Sequence, residues 1–241
     1  MAIYMWREPI TTAWIYHNAT LGLISLSSDW ENWITIADKN LWATSTDITS
    51  QSSYGNYFQW GNCYWFPISW HGAWQWPISA AWYWPNNYYN DRYFVYWNAY
   101  WDSSNNANLW WWITWTNEAM RWPCDTWFHI PSITEFNNLL NLWINIWAWT
   151  ASGWDNMRDI LLLPYWWVKA YSSSSSRPIY SAWTYWYYWT ANNYSNTNSY
   201  NLEFSSTINH TQNAAKAWGM NIRPFKNEAV QPDESRTVLY Q

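Results

Sequence analysis

The sequence predicts an α+β fold of short antiparallel strands, one or two helices and long irregular loops. Three observations favour it. Short alternating stretches bounded by turn residues recur near both ends of the chain. One central segment carries apolar residues at helical spacing. Asparagine, serine, threonine and tyrosine dominate the polar positions, which favours strands and loops because serine and asparagine compete with the helical backbone.

The strands are expected in two groups. Residues 12–16, 21–26 and 34–37 alternate and end in turns, so they predict hairpins. Residues 44–110 are polar and aromatic and predict a packed irregular layer, because the segment is longer than an ordinary connection. Further strands are expected at 165–168, 185–190, 200–204 and 220–225.

The clearest helix is predicted to begin at Ser132, directly after Pro131. Ser132 and Glu135 have the spacing of a capping box, in which each side chain bonds a free amide of the first turn. A second, short helix is expected over residues 154–162. The apolar residues of the first helix repeat at helical spacing: Phe136, Leu139, Leu140 and Trp143.

The length of the chain limits the number of domains, and its charge limits the kinds of partner. We expect an amino-terminal lead at 1–19, one domain at 20–226 and a polar tail at 227–241. The net charge is −5 with no basic stripe, so we expect no nucleic-acid partner. No apolar run approaches the ~20 residues of a membrane helix. The start lacks a signal segment, which leaves a cytoplasmic protein or, as we favour, the carboxy-terminal piece of a longer exported, cell-surface protein.

Tryptophan is far more frequent in this chain than in ordinary folded proteins. The chain has 30 Trp and 6 Gly, where average usage of ~7% gives roughly 17 Gly. Residues 29–33 become strong turn chemistry if Trp30 and Trp33 are replaced by glycine. The codon UGA encodes Trp in some genetic codes and Gly in those of certain uncultured bacterial lineages. We therefore hypothesise that many of these Trp positions are glycine in the natural protein.

The two cysteines leave two alternatives open. Cys63 and Cys124 can form one bridge across a long loop, or both can be unpaired thiols. Neither has a nearby cysteine or histidine at zinc spacing. We predict no metal site and no cofactor.

Four segments, in order, carry a family resemblance. They are 123–136 (PCDTWFHIPSITEF), 163–168 (LPYWWV), 183–190 (WTYWYYWT) and 221–225 (NIRPF), with a weaker one at 57–61. With glycine at several Trp positions, they resemble the Fibrobacter succinogenes major paralogous domain family. The resemblance implies a C-type-lectin-like fold, shared with formylglycine-generating enzymes, and export to the cell surface.

The same pattern divides the tryptophans. Trp60 and Trp189 fall where it has an indole. At the glycine positions we expect strained or exposed indoles. These positions are Trp30, Trp33, Trp127, Trp166, Trp167, Trp183 and Trp186.

The expected function is non-catalytic recognition of a glycan or protein ligand. The enzyme reading is weak because no cysteine follows Cys124, whereas the formylglycine-generating enzymes are implied to use a cysteine pair in this half. A structural adhesion domain without a specific ligand is the alternative. The carboxy-terminal half resembles the variable region of retroelement-diversified binding proteins, and its Tyr, Ser and Asn residues suit recognition loops.

Two sets of residues follow from these arguments. The expected ligand-binding residues are Tyr187, Tyr188, Trp189, Asn192, Asn193, Tyr194, Asn196, Asn198, Tyr200, Asn209 and His210. The expected structural residues are Cys63, Cys124, His129, Pro131, Ser132, Glu135 and Arg223.

The first prediction concerns the gene. We expect UGA at the seven glycine-type positions and UGG at Trp60 and Trp189, because only the second group lies where the family pattern has an indole. Sequencing the coding DNA checks this, and UGG at all nine positions would refute the recoding hypothesis.

Overall fold

The computed structural model describes residues 14–29, 31–62, 65–66, 73–74, 94–95, 99–102, 110, 123–125, 127–147, 153–164, 186–204 and 209–227. Within them the helices are α1 (Ile133–Trp147) and α2 (Gly153–Ile160). The strands are β1 (Trp14–Asn18), β2 (Leu23–Ser27), β3 (Ile34–Ala37), β4 (Phe58–Gln59), β5 (Ala73–Trp74), β6 (Phe94–Val95), β7 (Phe128–His129), β8 (Trp186–Asn193), β9 (Asn198–Phe204), β10 (Asn209–Ala215), β11 (Gly219–Met220) and β12 (Phe225–Lys226).

A five-stranded antiparallel sheet joins the two ends of the described chain. Its order is β1-β2-β3-β12-β7, and Phe225 pairs with both Ile36 and His129. The predicted amino-terminal hairpins are therefore confirmed, with bounds shifted by up to two residues. The sheet starts at Trp14, ahead of the expected domain start at residue 20.

The turn between β2 and β3 is held by Asp29. Its carboxylate accepts hydrogen bonds from the Asn32 side chain at 2.7 Å, the Asn32 amide at 2.8 Å and the Glu31 amide at 3.0 Å. These bonds, led by the Asn32 side chain, hold the pKa of Asp29 well below its usual range. The turn chemistry expected here with glycine at positions 30 and 33 is supplied instead by the Asx turn of Asp29.

A second antiparallel sheet has the order β10-β9-β8. The sequence predicted recognition loops in this half of the chain and no strand at the position of β10. The structure corrects both, because β8 runs to Asn193, β9 begins at Asn198 and residues 194–197 form a tight turn. The β10 sequence NHTQNAA has no apolar alternation, so its strand form depends on seven paired positions with β9.

Helix α1 begins at the predicted capping box. The Ser132 amide donates to Glu135 Oε2 at 2.7 Å, and the Glu135 amide donates to Ser132 Oγ at 3.2 Å. Both orphan donors are satisfied, as the spacing predicted. The buried face of the helix meets apolar residues of β8 and β9 in the first core. That core includes Phe136, Leu139, Leu140, Trp186, Tyr188 and Leu202.

A second core forms around Trp60 and Trp189. The indole of each donates a hydrogen bond to the backbone of the segment that carries the other. Trp60 Nε1 donates to Thr190 O at 2.9 Å, and Trp189 Nε1 donates to Phe58 O at 2.8 Å. Both side chains are fully buried. Trp101 Nε1 adds a 2.6 Å bond to Trp60 O. Both buried indoles have a bonded N–H, which fits the expectation of an indole at positions 60 and 189.

The expected glycine positions divide in the structure. Trp127 is 67% exposed, as expected. Trp33 and Trp186 are 7% and 0% exposed, so the expectation of exposed or strained indoles is wrong for both. Trp186 fills the first core from regular strand β8. Trp42, which the family pattern did not single out, has a φ of 66° and is 56% exposed. Trp30, Trp166, Trp167 and Trp183, and the strand expected at 165–168, lie outside the described residues.

The observed class is α+β, with two helices and mainly antiparallel sheets among the described residues. The helix expected over 154–162 is confirmed as α2. Neither of the two described helices has the length and apolar character needed to cross a membrane.

The second prediction concerns Trp42. Replacing Trp42 with glycine should raise the free energy of unfolding by about 1–2 kcal/mol, because an L residue pays that cost in the left-handed region. Trp42→Ala is the matched control, since it removes the indole and keeps the Cβ. Chemical denaturation of both variants measures the difference. Equal stabilities of the glycine and alanine variants would contradict the explanation.

Candidate functional site

The carboxy-terminal sheet presents two faces with different side chains. Successive strand residues point to opposite faces, so the register assigns every residue to one of them. The helix-side face meets α1, and the opposite one is called the far face here. The helix-side face carries Tyr188, Asn198, Tyr200, Leu202, Thr211 and Asn213. The far face carries Tyr187, Trp189, Ser199, Asn201, Glu203, His210, Gln212 and Ala214.

Two expected ligand-binding aromatics are core residues instead. Tyr188 is 2% exposed in the first core, and Trp189 is 0% exposed in the second. Burial raises the pKa of the Tyr188 hydroxyl, against the opposing influence of Arg223. Since neither ring reaches solvent, we correct the assignment of both to the binding surface.

Asn192 also has a structural position. Its Oδ1 accepts the Ile133 amide at 2.7 Å, so it satisfies one of the free donors at the start of α1. Asn193 is half-buried at the end of β8, and Asn196 is exposed within the β8–β9 turn. Asn209 is the first residue of β10. The sequence alone gave these four asparagines one role, and the structure separates them.

A group of Tyr, Asn and Thr side chains forms a continuous area on the helix-side face, called here the hairpin surface. Tyr194 and Tyr200 pack edge to face with ring centroids 5.1 Å apart. Asn198 Nδ2 donates to Asn213 Oδ1 at 2.8 Å, in the adjacent strand. Thr211 Oγ1 donates to Asn137 Oδ1 of α1 at 3.2 Å, which extends the area onto the helix. Tyr194 is 53% exposed.

A different group, called here the Glu203 cluster, lies on the far face. Tyr187 Oη donates to Glu203 Oε1 at 3.0 Å, and Gln212 Nε2 donates to Glu203 Oε2. His210 Nε2 is 3.8 Å from the same Oε2. The sequence analysis singled out Tyr187 and His210 but missed Glu203 and Gln212. The alternation of β9 carried a signal for Glu203, but the partners depend on the register with β8 and β10.

His129 links β7 to the start of α1. The ring is 1% exposed, with Nδ1 2.9 Å from Asn227 Oδ1 and Nε2 2.8 Å from Glu135 Oε1. Burial alone raises the pKa of Glu135, but the hydrogen bond and charge of His129 and the bonds from Ser132 outweigh it and lower the pKa. This network positions the helix.

Arg223 is a buried cross-link. Its side chain donates to Ala37 O at 3.0 Å and to Leu162 O at 2.8 Å, and the residue is 1% exposed. Burial lowers the pKa of the guanidinium, while Tyr188 and Asp38 oppose that shift.

Pro131 O accepts the Ala191 amide at 2.8 Å. Cys124 is buried in the second core, and Cys63, with the possible bridge, lies outside the described residues.

The chain matches no family model, no curated protein and no solved structure. In the part of the chain that the structure describes, no three residues among His, Cys, Asp and Glu are grouped to hold a metal ion. The two surfaces of the carboxy-terminal sheet are therefore the candidate sites.

The third prediction concerns Glu135. Glu135→Gln should lower stability by about 1 kcal/mol at about pH 7, because it keeps the shape of the capping side chain but removes the charge from its bonds to Ser132 and His129. The side chain is 34% exposed, which limits the effect. Because folding lowers the pKa below 4.5, the carboxylate stabilises the fold above that pH. The stabilisation is lost as pH falls through the folded pKa.

Urea unfolding at several pH values checks this prediction. The difference between the wild type and Glu135→Gln should shrink on the acid side. Ser132→Ala is the control, because it weakens the same cap and leaves the titrating group in place. A difference for Glu135→Gln that does not change with pH would contradict the assignment.

Proposed function

We propose that this protein is a non-catalytic, cell-surface recognition module that binds a glycan or protein ligand through the hairpin surface. The observation that carries the proposal is the ordered, solvent-reaching pair of Tyr194 and Tyr200 beside the hydrogen-bonded pair of Asn198 and Asn213. Tyrosine provides a large contact area at low entropic cost, and asparagine provides adaptable hydrogen bonds.

The scaffold below this surface supports the proposal. Recognition side chains on strands and helices keep their geometry better than those on free loops. Here Tyr200, Asn213 and Asn137 come from β9, β10 and α1, which pack on one another. The hydrogen bond from the Ile133 amide to Asn192 links the end of β8 to the amino terminus of α1. The surface is therefore ordered before a ligand arrives, which reduces the entropic cost of binding.

We also propose that the fold is C-type-lectin-like and the protein is exported, as the family resemblance implies. Support comes from the pairing of β12 between β3 and β7, which brings the two ends of the domain together. Two of the resembling segments, 123–136 and 221–225, meet there through the pairing of Phe225 with His129. The Asn and Tyr residues of the hairpin surface are of the types that the resembling variable region contains.

The fourth prediction tests the hairpin surface. The double variant Tyr194→Ala with Tyr200→Ala should weaken ligand binding at least about tenfold, because buried tyrosines dominate many interfaces. Glycan arrays and arrays of cell-surface proteins identify the ligand, and biolayer interferometry measures its affinity. Leu21→Ala, at an exposed position in the β1–β2 turn, is the control and should bind normally. Absence of any ligand on both arrays would favour the structural adhesion domain instead.

A further inference from the structure

We propose that the Glu203 cluster on the far face is a second binding site, which takes a primary ammonium or guanidinium group. It goes beyond the proposed function, because it lies on the sheet face opposite the hairpin surface and has different chemistry. A ligand with a lysine-like, arginine-like or amino-sugar cation would fit it.

The groups that donate hydrogen bonds to Glu203 do not neutralise its charge. Its side chain is 12% exposed, and the donors bonded to its carboxylate, Tyr187 and Gln212, are neutral. Neutral donors orient a carboxylate without compensating its charge, and buried charges are ordinarily paired. Among the described residues, only the His210 imidazole comes within 4.0 Å of this carboxylate as an ion-pair partner. Within the part of the chain that the structure describes, the cluster therefore has no lysine or arginine to pair with this carboxylate.

A ligand can approach the Glu203 carboxylate from the side of His210. His210 is on β10, the edge strand of the sheet, and its side chain is 50% exposed. Its Nε2 lies 3.8 Å from Glu203 Oε2, beyond hydrogen-bond distance. An ionised carboxylate offers about four lone-pair sites, so the bonds from Tyr187 and Gln212 leave acceptor capacity. A ligand group that arrives beside His210 can use it.

The side-chain amide of Asn201, close to Glu203 in the sheet, has no hydrogen-bond partner. Asn201 lies two residues before Glu203 on the same face of β9 and pairs across the sheet with Gln212. It is fully buried, and neither its Oδ1 nor its Nδ2 has a hydrogen-bond partner. Buried polar groups in folded proteins are nearly always bonded. Asn201 Oδ1 therefore supplies a second acceptor next to the carboxylate.

These groups together match a nitrogen cation. An ammonium has three N–H donors, which the Glu203 carboxylate and the Asn201 amide oxygen can accept. A calcium ion would need about 6–8 oxygen ligands, and this cluster has one carboxylate and the neutral side-chain oxygens of Tyr187, Asn201 and Gln212. The cluster thus favours an organic cation over a metal ion.

The fifth prediction tests this site with small probes. We expect n-butylammonium and N-methylguanidinium to shift the NMR resonances of residues 187, 201, 203 and 212, while n-butanol leaves them unchanged. Glu203→Gln keeps the shape of the side chain and removes the charge, so it should weaken cation binding at least about tenfold. Equal binding of n-butanol, or full cation binding by Glu203→Gln, would overturn the proposal.

Two further variants keep the test decisive if Glu203→Gln folds poorly. Gln212→Glu places a second carboxylate at the half-buried edge position, so it should tighten cation binding several-fold. Unchanged or weaker binding by a folded Gln212→Glu would count against the site. The Tyr194→Ala and Tyr200→Ala double variant should bind the cations normally, which separates this site from the hairpin surface. Circular dichroism establishes that each variant is folded.

Discussion

The reciprocal bonding of Trp60 and Trp189 is the constraint on which the rest of the structure depends. Each indole donates to a backbone carbonyl beside the other indole, at 2.9 and 2.8 Å, inside the second core. A buried indole N–H without a partner is costly, so the two segments fit together only in this register. The pairing of β4 with β11 and the bond from the Trp189 amide to Asn221 O extend the same junction. The junction joins the segment around Trp60 to the carboxy-terminal sheet.

Fixing Trp189 also determines the direction of every other side chain in β8. Because neighbours alternate, Tyr188 must enter the first core under α1, and Tyr187 must join the far face beside Glu203. Three consecutive aromatics that look like one binding platform in the sequence therefore point in two directions. Burial assigns two of them to cores, and only Tyr187 contributes to a surface.

Local signals in the sequence predicted much of the fold. The hairpin turn at Asp29, the capping box of Ser132 and Glu135, and the indoles at 60 and 189 all depend on neighbours in sequence or on a family pattern. The strand β10 was not predictable in this way, because its polar residues are ordered by pairing with β9 rather than by an apolar face. The Glu203 cluster needs side chains from three strands, so it depends on registers that no local pattern encodes. The burial of Trp33 and Trp186 likewise depends on tertiary packing.

The polar edge strand explains how one sheet can offer two different surfaces. Alternate residues of β10 serve opposite faces: Thr211 and Asn213 contact the hairpin surface, while His210 and Gln212 contact the Glu203 cluster. A strand with an apolar face would have to bury that face, and one of the two surfaces would then be covered. The lack of apolar alternation that hid β10 in the sequence is therefore the property that lets its residues join both the hairpin surface and the Glu203 cluster.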